Sequence, residues 1–141
     1  MSLTFYHIQQ LSRELGQYLN QAFAGEDISL SHWSVIFQLH YHGAMTQTEL
    51  KNRLNIEAPP LSRTLRKLED LGYIEKHSST DKRTNDIHLS EKGQIRYPVW
   101  EKAIKEAEDR LRSGLGKERE RSLDLHVKEL TGLIRKEKEG K

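Results

Sequence analysis

Apolar residues recur every three or four positions in six stretches of this chain and alternate with polar ones in two more. Phe5, Ile8, Leu11, Leu15, Leu19 and Phe23 predict a helix over residues 5–23, with Gly25 as its stop. Trp33, Ile36, Phe37, Leu39 and His40 make the buried stripe of a second helix. Ser29 is its N-cap, Ile28 and Trp33 are spaced as a hydrophobic staple, and Gly43 closes it. Thr46 and Glu49 have the spacing of a capping box, so a third helix runs from there to about Leu54. Leu61, Leu65 and Leu68 give a fourth helix one apolar face, over about 58–71. Pro59 and Pro60 fit its first turn, where a missing backbone donor costs nothing, and Gly72 ends it. Residues 73–77 and 85–89 alternate as two strands, joined by a segment with no apolar residue. Ser90 caps a fifth helix lined by Ile95, Val99, Ala103, Ile104, Ala107 and Leu111. Pro98 predicts a kink or a late start there, and Gly114 and Gly116 break the helix. Leu123, Val127, Leu130 and Ile134 form the narrow seam of a last helix over 117–138, as in a coiled-coil partner.

The fold class is therefore mainly α with a small β-hairpin. The order of elements is informative. A short helix and a turn lead into a helix with no acid from Ala58 to Leu68, and a hairpin with a basic tip follows at once. That is the layout of a winged helix-turn-helix, with the fourth helix as the recognition helix and the hairpin, about 73–90, as the wing. Charge follows the same division. The formal net charge is only +2, but residues 1–50 carry −3, residues 51–100 carry +3 and residues 101–141 carry +2. The positive excess begins where the helix-turn-helix begins, a local footprint for phosphate.

Over this stretch the chain resembles the MarR family of bacterial transcription regulators. The matching residues are Pro59-Pro60-Leu61-Ser62-Arg63, Leu65, Leu68-Glu69 and Leu71-Gly72-Tyr73-Ile74, then Asp81-Lys82-Arg83 and Ile87-His88-Leu89-Ser90-Glu91-Lys92-Gly93. Two departures are Glu57, where a Ser or Thr cap is usual, and Lys76, where Arg is common. The resemblance implies one domain over 1–141: a winged helix-turn-helix at 29–93, with 5–28 and 95–138 as dimerisation helices. It also implies a homodimer on double-stranded DNA, with a pseudo-palindromic operator, acting as a repressor that responds to a ligand. A small aromatic or phenolic effector is the expected ligand class, with Tyr18, Trp33 and Tyr41 able to line its cleft or, alternatively, to sit in the core.

An α-helix fits the major groove of B-DNA, where side chains on its outer face reach base edges. Ser62, Arg63, Thr64, Arg66 and Lys67 fall on the polar faces of the fourth helix, and Pro59 and Pro60 can meet thymine methyls. Arg66 could instead pair with Asp70 one turn on. At the wing tip Arg83 is long enough to enter a minor groove, with Asp81 either holding it or making an Asx-turn. Lys76, His77, Ser78, Lys82 and Thr84 would add phosphate contacts, which position without specifying. Thr46 and Gln47 either offer a helix N-terminus to a phosphate or serve as caps only.

Composition narrows the rest. The chain of 141 residues has no cysteine, which excludes disulfides, thiolate metal sites and thiol redox sensing. The seven histidines lack metal-ligand spacing, and no cofactor, metal or catalytic constellation is expected. No apolar run approaches a membrane span and no signal peptide is visible, so the expected location is the cytoplasm. Two other classes remain open: a winged helix used for protein contact, and a small enzyme on a helical scaffold.

Overall fold

The computed structural model describes residues 1–78 and 85–140. Its elements are α1 (Thr4–Asn20), a 3₁₀ turn (Gln21–Phe23), α2 (Leu30–His42), α3 (Gln47–Leu54), α4 (Ala58–Asp70), β1 (Ile74–Ser78), β2 (Asn85–Leu89), α5 (Glu91–Leu115) and α6 (Lys117–Glu139). The chain forms two compact units, Met1–Ile104 and Lys105–Lys141.

In the first unit, α2, α3, α4 and the hairpin enclose a core in which Val35, Ile36, Leu50, Leu61, Leu65, Leu68, Ile74, Ile87 and Trp100 are fully buried. The predicted caps are in place. Thr46 Oγ1 accepts from the Glu49 backbone N–H at 3.1 Å. The Glu49 carboxylate does not turn back to the Thr46 backbone as in the full capping box. It accepts from the Thr46 hydroxyl at 3.2 Å instead. Ser29 is extended at the start of α2, and its N–H donates to His32 Nδ1 at 2.9 Å. His32 thus takes the place usually held by Glu or Gln three residues after an N-cap.

The turn from α3 to α4 rests on Asn55, the one non-glycine residue with positive φ among those described, at 53°. Asparagine tolerates this left-handed geometry better than other side chains do. α4 ends in a Schellman arrangement. Gly72 sits at φ 83°, its N–H reaches the Glu69 carbonyl, and the Tyr73 N–H reaches the Leu68 carbonyl, each at 3.0 Å.

β1 and β2 pair antiparallel, with Ile74 opposite Leu89 and Lys76 opposite Ile87. An isolated β-bridge that periodicity did not predict is added to them. Met45 exchanges backbone hydrogen bonds with Ile87, at 3.2 and 2.7 Å, and so ties the loop before α3 to the hairpin. At the base of the wing, the Ser90 hydroxyl accepts from the Gly93 N–H at 3.0 Å and donates to the Gly72 carbonyl. A Cβ on Gly93 would lie 2.4 Å from the Tyr73 carbonyl oxygen. The Ser-x-x-Gly turn therefore lets α5 start directly against the end of α4.

Four expectations need correction. Phe37, 38% exposed, and His40 are both exposed rather than buried, and Val35 takes the core position, because α2 turns a different edge of its broad apolar surface inward. The first strand starts at Ile74, since the Tyr73 N–H is used to close α4. α5 runs through Pro98 from Glu91, without a late start. Gly114 lies inside α5, and Gly116, at φ 89°, makes the break alone.

Candidate nucleic-acid interface

α4 has two faces of opposite character. Leu61, Leu65 and Leu68 are in the core, while Pro59, Pro60, Arg63, Arg66 and Lys67 are exposed and Ser62 and Thr64 are half-buried. Among the described residues, Arg63, Arg66 and Lys67 have no hydrogen-bond or ion-pair partner. The alternative pairing of Arg66 with Asp70 is thus not made. Three cations on one helix face, with no acid to satisfy them, keep their charge available to an outside anion.

The N-terminus of α3 is joined to this face. Gln47 Nε2 donates to Ser62 Oγ at 2.8 Å. Thr46 acts as the cap of α3, through Glu49. The two α3 residues singled out from sequence therefore play different parts: one closes its own helix, the other reaches across to α4.

The field of the face also reaches inward. The pKa of His32 is lowered, chiefly by burial, next by the positive charge of Lys67, with Asp27 opposing. A neutral imidazole is what the α2 cap requires, because Nδ1 must accept from the Ser29 N–H.

On the wing, Lys76, His77 and Ser78 are exposed along β1. His77 is engaged by its neighbours. Its Nε2 lies 3.1 Å from the Glu75 carboxylate, and its ring meets that of His88 edge-on at 4.6 Å. The register puts Glu75 opposite His88 and His77 opposite Asp86, so acids and histidines share the outer face of the wing. Asp81, Lys82, Arg83 and Thr84 lie outside the described residues.

The wing is anchored to the loop before α2. The Tyr73 hydroxyl donates to both oxygens of Asp27, at 2.8 and 2.7 Å. Burial and that carboxylate together push the Tyr73 hydroxyl up to about 12. Beside it, Arg96 makes two bonds to Glu26, at 2.8 and 2.6 Å. Sequence reasoning missed these positioning residues, because single acids in a loop carry no periodic signal.

The aromatic candidates separate. Trp33 is buried and stacks on Tyr97 at 5.2 Å, and Tyr97 in turn stacks on His40 at 3.7 Å. Tyr41 is exposed and tilts against Phe37 at 4.7 Å. Tyr18 is half-buried on α1. Among the described residues no group of three or more His, Cys, Asp or Glu side chains is placed to hold a metal ion.

A basic recognition helix set on a short preceding helix, with an antiparallel hairpin behind it, defines a winged helix-turn-helix. Comparison with known proteins agrees. The MarR family model matches residues 28–84. The chain is 32% identical over 92 residues to an uncharacterized HTH-type transcriptional regulator of Bacillus subtilis (strain 168), YwoH, covering 65% of this chain and 67% of that protein. It is 27% identical to another such regulator, of Bacillus thuringiensis subsp. konkukian, covering 66% of this chain and 62% of that one. Among solved structures, a MarR/EmrR family regulator from Acinetobacter sp. ADP1 superposes with TM-score 0.85 at 26% identity, covering 96% and 99% of the two chains. The MepR–DNA complex of S. aureus shares the fold, with TM-score 0.84 at 22% identity over 95% and 99%. The chain belongs to the MarR family of transcriptional regulators. Among the described residues no helix is long and apolar enough to cross a membrane.

Proposed function

We propose that this protein binds double-stranded DNA sequence-specifically as a homodimer and acts as a ligand-responsive repressor. The observation that carries the reading is the outer face of α4, where Arg63, Arg66 and Lys67 stand exposed, without partners among the described residues, on a helix held rigidly by its leucine face. Such a helix enters a major groove, with arginine able to reach guanine O6 and N7. The DNA-bound state of the MepR complex, which shares the fold, supports the same use of this one. Lys76, Ser78 and the tip residues Lys82 and Thr84 add phosphate contacts, with Arg83 reaching the minor groove and Asp81 steadying it.

The homodimer reading is supported by the apolar residues left uncovered on α1 and α6, among them Phe5, Leu11, Leu123 and Val127. Two recognition helices would then address half-sites about one helical turn apart. A small aromatic or phenolic effector would act by favouring a spacing of the two helices that no longer fits both grooves. Of the three candidate lining residues, Tyr41 is exposed, Tyr18 is half-buried and Trp33 is buried, so Tyr41 and Tyr18 are the more accessible to it.

The test is a fluorescence-anisotropy titration of the purified protein against the intergenic DNA beside its own gene, with a random duplex as control, at two salt concentrations. Tight, salt-sensitive binding that prefers the intergenic duplex is expected. Weak binding indifferent to sequence and salt would remove the DNA reading in favour of a protein-contact role.

A further inference from the structure

We infer that Gln47 is a positioning residue that fixes the serine of the recognition helix as a hydrogen-bond donor, and so sets which base the protein accepts at one position of each half-site. The inference rests on the DNA-binding reading above and deepens it. Its basis is the contact between Gln47 Nε2 and Ser62 Oγ, 2.8 Å long and half-buried, joining residues 15 apart in sequence.

A serine hydroxyl has one proton and two acceptor sites, and it rotates to suit its surroundings. A free serine on a recognition helix can therefore contact a donor or an acceptor on the base edge and discriminates little. Here one acceptor site is filled by the Gln47 amide N–H. Ser62 makes no other hydrogen bond among the described residues, so its proton is left for an acceptor outside the protein. In the major groove acceptors are presented by guanine O6 and N7, adenine N7 and thymine O4, whereas cytosine presents only its N4 amino donor. Ser62 keeps one open acceptor site, but a contact with the cytosine amino group would leave the hydroxyl proton unpaired, so the arrangement favours a base that presents an acceptor and disfavours cytosine at the position facing Ser62.

Gln47 is well suited to the role. It is the first residue of α3, whose N-terminus is fixed by the Thr46 cap, and Ser62 lies one turn into α4 beside Leu61, which is fully buried. Both ends of the bond are thus held by rigid helices. The neighbouring cations on α4 lack such a tie among the described residues, so they contribute charge more than a fixed direction.

The experiment uses the full chain. A duplex is selected with the wild-type protein from a randomised pool, and this duplex and its single-base-pair variants are titrated by fluorescence anisotropy. Wild type, Gln47→Leu, Gln47→Glu, Ser62→Ala and the Gln47→Leu/Ser62→Ala double variant are compared, with Tm measured for each. One position per half-site is expected to disfavour cytosine by about fivefold to tenfold, the worth of one hydrogen bond. Gln47→Leu and Ser62→Ala should each flatten that position alone, and the double variant should do no more than Ser62→Ala. Gln47→Glu replaces the donor with an acceptor, takes up the Ser62 proton and should shift the preference toward bases that present an amino group. Uniform weakening over all variants by Gln47→Leu would mark a phosphate contact or a scaffold role and overturn the inference. An unchanged preference would do the same, and so would additive effects in the double variant. If the pool yields no selected duplex, the DNA reading falls and this inference with it.

Discussion

α4 and α6 carry leucines and other apolar residues at the same three- and four-residue spacing, yet they end up in opposite situations. Leu61, Leu65 and Leu68 of α4 are completely enclosed by α2, α3 and the hairpin. α6, with 23 residues, buries none of them, and Leu123, Val127 and Ile134 remain about half exposed. The same is true of α1, none of whose residues is buried. An amphipathic stripe thus records that a helix has an apolar side, and says nothing about what covers it. In α4 the cover is the protein's own core, which leaves the polar side outward and rigid. In α6 the cover is left to be supplied, and on our reading a second copy supplies it.

The comparison is most easily broken in the core. Leu65→Ala should cost about 2–5 kcal/mol by leaving a cavity that close-packed neighbours cannot fill. Chemical denaturation measures it, and a loss below about 1 kcal/mol would mean that α4 is not the centre of this unit. Val127→Glu probes the other side of the contrast. If α6 faces a second copy, a charge in its seam should weaken self-association on the order of 100-fold, about 3 kcal/mol. Sedimentation velocity would then report half the mass at concentrations where wild type stays associated. An unchanged mass would show that the α6 seam does not face the second copy, and a wild type that is monomeric throughout would remove the homodimer reading.

A smaller effect is expected where α4 meets the wing. Gly93→Ala places a methyl 2.4 Å from the Tyr73 carbonyl, a backbone atom that cannot swing aside. A cost of about 1–3 kcal/mol is expected from such overpacking, read as a lower Tm together with weaker DNA binding. The smallest effect is pH-dependent. His32 has a pKa below its ordinary 6.5 in the folded chain, through burial and the nearby Lys67. Its contribution to stability is therefore complete above about pH 6.5 and is lost as pH falls toward the lowered folded value. His32→Gln keeps an acceptor for the Ser29 N–H and has no proton to take up. The difference in Tm between wild type and this variant should shift in the variant's favour between about pH 7.5 and 5. A constant difference would exclude the half-buried neutral imidazole.

Much of the molecule was legible in its residues. Six apolar periods, two alternating strands, the caps at Ser29, Thr46 and Ser90 and the stops at Gly43 and Gly72 are local features, set by side-chain spacing and backbone freedom within a few residues. The basic face of α4 was legible for the same reason, since three leucines on one side dictate where Arg63, Arg66 and Lys67 must lie. The tertiary structure decided what distance along the chain conceals. It chose Val35 over Phe37 for the core, joined Met45 to Ile87, and set Tyr73 against Asp27 and Gln47 against Ser62. Each of these pairs residues between 15 and 46 positions apart, or turns on which edge of a broadly apolar helix faces inward. A hydrogen bond between distant side chains leaves no period in the sequence, because it depends on the packing that brings two otherwise independent segments within about 3 Å of each other.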